Sequence, residues 1–263
     1  MATAVFFHAH PDDEAIGTGG TMARAAAEGH RVVLVTATRG EYGETPEGSL
    51  RNGESLAKRR TAELAEACAI LGVARFEFLG YVDSGYFDRP ENKAPDNFAN
   101  SDPEAAARRL ADLLIEEQAD VLTVYDENGL YGHIDHIQVY RVGMRAAEIA
   151  GTERVYMTTL NRDAVVELLP QAASLGVQVD DELLEMSKTI GVPEARITTS
   201  IDVRGYLDQK RRAMAAHKSQ IGETSFFLAM PPEAFELVWG TEWYVRAGVD
   251  WTGPWETSLF DGL

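Results

Sequence analysis

Histidine and carboxylate side chains are concentrated in two short stretches of the chain, which together hold four of its six histidines. The stretches are "HAHPDDE" and "GHIDH", and their candidate side chains are His10, Asp12, Asp13, His133, Asp135 and His136. Two imidazoles and one carboxylate, with a position left for water, form a catalytic zinc arrangement. A carboxylate outside the ligand set can then act as the base that activates the water. These residue types therefore indicate a metal site that activates water.

The residues alone leave two assignments open. Either Asp12 or Asp13 could bind the metal while the other acts as the base. His133 and His136 are equally open as ligands, because residues three apart at the start of a helix share a face. The identity of the ion is also open, since imidazole and carboxylate ligands accept zinc, iron, cobalt or manganese.

The elements that must position these stretches alternate between strand and helix. The predicted strands cover residues 4–7, 31–38, 75–79, 121–125 and 154–160, and the predicted helices cover residues 18–28, 54–71, 103–118 and 134–150. Such alternation predicts right-handed crossovers and a mainly parallel sheet flanked by helices. We therefore expect an α/β, Rossmann-like fold.

The pattern becomes irregular after residue 160. Helices are predicted at residues 164–173, 181–189 and 204–220, and a strand is predicted in "RITTSIDV". We expect residues 1–160 to form the metal-binding core. Residues 161–263 are expected to pack on this core within the same domain and to shape the substrate pocket.

Both charged stretches follow predicted strands, as do two long polar loops at residues 39–53 and 82–101. Loops of this length in a compact domain usually carry function. In a parallel sheet the carboxyl ends of the strands meet at one edge, where ligands bind. The sequence therefore predicts that the two stretches lie close together in space.

Composition excludes several classes of function. The 263 residues carry a net charge of −18, which disfavours nucleic acid and anionic membranes as partners. Cys68 is the only cysteine, so no intrachain disulfide or Cys-based zinc cluster forms. No leader pattern or apolar run of membrane-spanning length is visible. We expect a soluble, cytoplasmic protein that acts on a small molecule, and homo-oligomer formation stays open.

Several motifs resemble a known family. "AHPDDE" and "GHIDH", the latter after "TVYDENGLY", resemble the two signatures of the LmbE-like, or PIG-L, zinc-dependent de-N-acetylases. "LGYVDSGY" and "AMAAHKSQI" resemble the actinobacterial branch of that family that handles mycothiol. One departure is Ile134, where the family usually has proline. This change alters the stiffness of the loop and leaves the ligand chemistry intact.

The resemblance implies a role for each residue of the two motifs. It places one zinc ion on His10, Asp13 and His136. The general base falls on Asp12. A protonated His133 would stabilise the oxyanion, Asp135 would orient or charge-stabilise that imidazole, and Tyr131 would donate a hydrogen bond to the carbonyl oxygen. Four further residues are candidates for substrate binding: Arg60, Asp83, Asn128 and His217.

The expected function is zinc-dependent hydrolysis of an amide bond in an N-acylated glucosamine. The acyl group that is released is expected to be acetyl. One alternative is a mycothiol S-conjugate amidase with a larger acyl group and a thiol-conjugate substrate. An alternative from another class is a metal-dependent hydratase or lyase. A metal-stabilised binding module is disfavoured, because Asp12 and His133 would then have no purpose.

Overall fold

A computed structural model of the chain describes residues 1–46 and 48–263. Within them, seven strands form one sheet. The strands are β1 (Thr3–His8), β2 (Arg31–Thr36), β3 (Arg75–Phe78), β4 (Val121–Tyr125), β5 (Arg154–Thr159), β6 (Thr199–Asp202) and β7 (Thr241–Arg246). Strands β1 to β5 are parallel, and β7 runs antiparallel to both β5 and β6. The predicted α/β class and mainly parallel sheet are confirmed.

The order of strands across the sheet is β3-β2-β1-β4-β5-β7-β6. The chain starts at β1, moves outward through β2 and β3, and then returns to place β4 on the other side of β1. The direction of winding therefore reverses between β1 and β4. In open α/β sheets a crevice opens at this reversal, outside the carboxyl ends of the two strands.

Helices cover both faces of the sheet. In the residues that the structure describes they are α1 (Asp13–Gly17), α2 (Gly19–Ala27), α3 (Leu56–Leu71), α4 (Pro103–Glu116), α5 (Gly129–Gly132), α6 (Ile134–Ala150), α7 (Arg162–Ser174), α8 (Asp181–Ser187), α9 (Leu207–Ala216) and α10 (Pro232–Trp239). Successive residues of a strand face opposite sides. Phe6 accordingly lies in the same hydrophobic cluster as Leu64 of α3 and Met214 of α9, whereas Phe7 lies in the cluster that contains Val139 of α6.

Several element boundaries differ from the sequence-based expectations. The helix expected at residues 18–28 is α2, and the short helix α1, which precedes it across Thr18, was not predicted. The helix expected at residues 204–220 ends at Ala216, so the residues that follow it are free to turn back toward the core. Helix α10 and strand β7 were not predicted. Strand β7 is defined by its pairing with β5, about ninety positions earlier in the chain, and local periodicity does not contain that information.

No helix among residues 1–46 and 48–263 is long and apolar enough to cross a membrane.

Candidate metal centre and active site

The two charged stretches lie side by side at the reversal of the sheet. "HPDD" follows β1, and "GHIDH" lies beyond β4, the strand that pairs with β1. Asp13 opens α1, and His133 is the N-cap residue of α6. The ends of adjacent parallel strands therefore bring together residues that are more than a hundred positions apart in the chain.

His10, Asp13 and His136 form one compact group of ligand atoms. His10 Nδ1 lies 3.3 Å from Asp13 Oδ2, and His136 Nε2 lies 3.4 Å from Asp13 Oδ1. One ligand atom from each of the three residues lies within 4.8 Å of the others. Although burial alone would raise the pKa of Asp13, the neighbouring His136 and His10 hold it well below its usual value.

An orphaned imidazole supports metal binding by this group. His136 is buried, and among the described residues neither of its ring nitrogens makes a well-formed hydrogen bond, although Nε2 lies 3.4 Å from Asp13 Oδ1. The ring is fixed in orientation, because it stacks on Tyr125 with centroids 4.1 Å apart. A buried polar atom without a partner is costly, and an ion bound by the ring would remove that cost. The two imidazoles and one carboxylate fit zinc or a similar divalent ion.

The far nitrogen of His10 is held by carboxylates. His10 Nε2 lies 3.0 Å from Asp135 Oδ2 and 3.4 Å from Asp83 Oδ1. Burial lowers the pKa of His10, but Asp83, Asp13 and Asp135 together raise it well above its usual value. A carboxylate on the second nitrogen of a ligand histidine fixes its tautomer and orientation. Asp135 and Asp83 are placed to do this for His10.

Asp135 contacts His10 directly, and its charge also favours the protonated form of His133, the histidine it was expected to support. Its carboxylate accepts hydrogen bonds from the backbone N–H and the hydroxyl of Ser84, in addition to its contact with His10. The backbone N–H of Asp135 donates to His133 Nδ1 at 3.2 Å, and its carboxylate also lies within 4.8 Å of a ring nitrogen of His133. Sequence reasoning missed Ser84, whose only signal was its position in the long loop after β3.

The surroundings of His133 disfavour the protonated form that the resemblance implied. Burial, followed by the nearby His10 and His136, lowers the pKa of His133 to about 4. The ring is therefore neutral at neutral pH. Because Nδ1 accepts a hydrogen bond from Asp135, the hydrogen of the neutral ring resides on Nε2. A neutral imidazole of this tautomer is a hydrogen-bond donor.

Asp12 has an environment opposite to that of Asp13. Burial raises the pKa of Asp12 to about 6, even though Arg60 nearby acts to lower it. Arg60 Nη2 lies 3.2 Å from Asp12 Oδ2 and also donates to the carbonyl oxygen of Pro11. The backbone of Asp12 has a φ of 109°, in a region that residues other than glycine rarely adopt. Its N–H donates to Glu14 Oε2 at 2.9 Å, a contact that sequence reasoning missed.

The four candidate substrate-binding residues lie in different surroundings. Arg60 is buried and also donates to the carbonyl oxygen of Gly40. Asp83 is buried against His10. His217 is fully buried and contacts Glu14, so Arg60 and His217 correspond poorly to the expectation of substrate contacts. Asn128 is exposed beyond β4.

Exposed aromatic rings lie beside the histidines. Tyr86, Phe87 and Tyr131 are 55%, 41% and 41% exposed. The ring centroid of Tyr131 is 5.2 Å from that of His136, and the centroid of Phe87 is 6.0 Å from that of His133. These rings offer apolar faces to a molecule that approaches the metal-binding group.

The sequence is similar to a family model and to curated proteins that are named as deacetylases. The family model described as PIG-L, GlcNAc-PI de-N-acetylase, matches residues 5–147, more than half of the chain. A 1D-myo-inositol 2-acetamido-2-deoxy-alpha-D-glucopyranoside deacetylase of Acidothermus cellulolyticus is 39% identical over 258 residues, which cover 93% of this chain and 88% of that protein. A deacetylase of the same name from Thermomonospora curvata is 38% identical, with 98% of this chain and 96% of that protein covered.

Solved structures share the fold at lower identity. A conserved protein of Thermus thermophilus superposes with a TM-score of 0.61 at 23% identity, covering 98% of this chain and 100% of the other. The 4-carboxy-2-hydroxymuconate hydratase of Pseudomonas putida KT2440 superposes with a TM-score of 0.59 at 20% identity, covering 97% and 99%. Because a hydratase shares the fold, the fold alone does not select the reaction.

Proposed function

The chain belongs to the PIG-L family of de-N-acetylases and is a hydrolase of amide bonds, and we propose a substrate for it on this basis. The proposed reaction removes the acetyl group from an N-acetylglucosamine unit that is linked to inositol. The observation that carries the substrate proposal is the set of relatives named for that reaction, which align over nearly their whole length. The products are acetate and the free amine of the glucosamine.

The metal proposed for this site is zinc, held by His10, Asp13 and His136. Two imidazoles and one carboxylate are a donor set of catalytic zinc sites. Zinc bound there would supply a Lewis acid and would lower the pKa of a water molecule. Asp135 and Asp83 support the proposal through the far nitrogen of His10, which they hold in one orientation.

Asp12 is proposed as the general base and acid. As a carboxylate it accepts a proton from the attacking water, whose oxygen forms the new bond to the acyl carbon. As a carboxylic acid it returns that proton to the amine nitrogen when the C–N bond breaks. A pKa of about 6 suits both steps, because a group can exchange protons in both directions near its pKa.

His133 and Tyr131 are proposed to bind the carbonyl oxygen. The Nε2–H of a neutral His133 donates a hydrogen bond that strengthens as negative charge develops on this oxygen. The Tyr131 hydroxyl is a second donor on the exposed side of the site, where its ring lies beside His136. Both residues would thus favour the transition state over the bound substrate.

The proposal is tested by product analysis with purified, zinc-loaded protein. The substrates are inositol-linked N-acetylglucosamine, free N-acetylglucosamine and a thiol conjugate with a larger acyl group, and both the free amine and the released acid are quantified. We expect equimolar amine and acetate, with the highest kcat/KM for the inositol-linked sugar. The Asp12→Asn variant is the control for contaminating activity.

Other outcomes would select the alternatives. Preference for the thiol conjugate would identify an S-conjugate amidase. Failure to release amine from any of the amides would contradict the proposed function. It would favour the alternative of a metal-dependent hydratase or lyase.

A further inference from the structure

The segment that follows α9, residues 217–220, turns back toward the catalytic loop, residues 9–12 between β1 and α1. His217 Nε2 lies 2.6 Å from Glu14 Oε1. The backbone N–H and hydroxyl of Ser219 both donate to the carboxylate of Glu63 on α3, at 3.0 and 2.6 Å. These contacts join the C-terminal part of the chain to α1, which begins directly after Asp12, and to α3.

One route leads from His217 to the backbone of Asp12. Glu14 and His217 are both fully buried. While one oxygen of Glu14 contacts His217, the other accepts the backbone N–H of Asp12. The His217 ring has no other side-chain hydrogen bond among the described residues, because its Nδ1 is unpartnered. Among the described residues, Glu14 is therefore the one side chain to which the His217 ring is hydrogen-bonded.

A second route leads from Gln220 to the carboxylate of Asp12. Gln220 Oε1 accepts a hydrogen bond from Arg60 Nη1 at 3.2 Å. The other terminal nitrogen of Arg60 contacts Asp12 Oδ2 and the carbonyl oxygen of Pro11. The segment thus reaches the same aspartate from two sides.

The backbone of Asp12 needs such support. A φ of 109° is rarely adopted by a residue with a side chain, and conformations of this kind persist only where the surroundings over-determine them. The carbonyl oxygen of Asp12 is already bound by the N–H groups of Ala15 and Ile16. The N–H has Glu14 as its partner, and Glu14 depends on His217.

We propose that His217 and Gln220 are positioning residues for the catalytic base: His217 holds the Asp12 backbone through Glu14, and Gln220 holds its carboxylate through Arg60. The inference rests on the proposed function, since it takes Asp12 as the base. Direct substrate contact by His217 is a poor alternative, because its side chain is 0% exposed. A purely stabilising role is the alternative that the experiment must separate.

The main test compares His217→Ala with His217→Gln, whose amide nitrogen can donate to Glu14 from a similar position. In zinc-loaded protein, we expect His217→Ala to lower kcat by about 10- to 100-fold, because small misplacements of a reacting group are costly. KM should stay within about twofold, since ground-state contacts are unchanged. Zinc per chain should equal that of the parent, and His217→Gln should recover most of kcat.

Hydrogen exchange at the Asp12 amide provides a measurement that needs no turnover. Its N–H loses a fixed partner when Glu14 is freed, so the amide should exchange at least about tenfold faster in His217→Ala, which reports local opening of the loop. The matched control is His30→Ala. His30 also joins the core to the C-terminal part, because it stacks on Phe260 at 3.7 Å, but it lies outside the site. This control should leave kcat and the Asp12 exchange rate unchanged.

Several results would overturn the proposal. They are an unchanged kcat or an unchanged Asp12 exchange rate in His217→Ala, a raised KM with normal kcat, and loss of zinc. If His217→Ala does not fold, Gln220→Ala decides, because Gln220 is only half-buried. A kcat for Gln220→Ala equal to that of the parent would then reject the positioning role. A parent protein without deacetylase activity would contradict the proposed function instead, while the exchange measurement would still test the contact.

Discussion

At the scale of single residues, neighbouring groups shift the pKa values of the adjacent Asp12 and Asp13 in opposite directions: the pKa of Asp12 is raised and that of Asp13 is lowered. Asp13 faces two imidazoles, which stabilise its charge, whereas the burial of Asp12 outweighs the attraction of Arg60. Carboxyl groups whose pKa values are pushed apart commonly take different chemical roles. This contrast supports Asp13 as a ligand and Asp12 as the base.

The pKa of Asp12 predicts the acid limb of the rate profile. Asp12 must be ionised to accept a proton, so kcat/KM should fall as the pH drops below about 6. Arg60 lowers this pKa, and removing its charge should therefore move the limb to higher pH. The measurement is kcat/KM between pH 5 and 9 for the parent and Arg60→Gln. A limb that stays in place or moves to lower pH in the variant would be inconsistent with Asp12 as the base.

Substitutions of the two histidines of "GHIDH" should have different effects on zinc content and on catalysis. His136→Ala is expected to lose bound zinc, because His136 supplies a proposed ligand atom. His133→Ala should retain about one zinc per chain yet lose about 2–4 kcal/mol of transition-state stabilisation, the scale of a missing oxyanion donor. Metal analysis of the purified variants, together with kcat, checks both. A metal-free His133→Ala protein would make His133 a ligand and this assignment wrong.

Substitution of His133 should also leave the alkaline limb of the pH–rate profile unchanged. Its pKa of about 4 means that the ring loses its charge well below neutral pH. Any alkaline limb of the parent should therefore persist at the same pH in His133→Ala. Disappearance of that limb would show that the ring works as an imidazolium and that the geometry of the bound state differs from this one.

At the scale of elements, the position of α6 against β4 determines where His136 lies. Gly143 of α6 faces β4, and a Cβ atom at this position would overlap with Val124 Cγ1. The absence of a side chain therefore allows the helix to approach the strand closely. Glycine is a poor helix former, so its presence inside α6 has a packing reason.

Gly143→Ala tests this packing. Helix propensity favours alanine by about 1 kcal/mol, whereas overpacking of a close contact typically costs about 1–3 kcal/mol. We expect the steric cost to win, with lower stability in urea-induced unfolding and weaker zinc binding because α6 is displaced. Gly205→Ala is the control, since a Cβ atom there meets nothing within 4 Å. Equal stabilities for the two variants would refute the close approach.

At the scale of the whole molecule, a buried ion pair connects the C-terminal part to α1 and α2, the two helices that follow the catalytic loop. Lys210 Nζ lies 2.5 Å from Glu242 Oε1 and donates to the carbonyl oxygen of Ile16 at the end of α1. The Glu242 carboxylate accepts the backbone N–H groups of Gly20 and Thr21 at the start of α2. A carboxylate at a helix N-terminus and a cation at a helix C-terminus both match the helix dipoles.

Lys210→Met should be strongly destabilising. Removing one partner of a buried pair leaves the other charge uncompensated, which costs about 3–5 kcal/mol. The matched control is Arg212→Met on the same helix, because the Arg212–Asp208 pair is largely exposed and such pairs contribute at most about 1 kcal/mol. The free energy of unfolding in urea gives both values. Similar small losses for the two variants would show that the Lys210 pair is not buried in solution.

The sequence by itself determined the fold class and the fact that the two charged stretches lie together. Alternating apolar runs and helical periodicity predicted the parallel sheet, and charged stretches after the first and fourth strands predicted one shared edge. These inferences succeed because strand ends are local features, and parallel pairing brings their carboxyl ends together. Residue types alone did not say which aspartate or histidine would bind the metal; the family resemblance supplied that assignment.

Only the tertiary structure decided which side chains contact one another. The Asp135 carboxylate contacts His10 Nε2, 125 positions away in the chain, and His217 lies against Glu14, 203 positions away. Arg60, expected at the substrate, is buried and lies 3.2 Å from Asp12 Oδ2. The physical reason is that hydrogen-bond partners and pKa values depend on the packing of distant segments, whereas periodicity and spacing report only what neighbouring residues do along the chain.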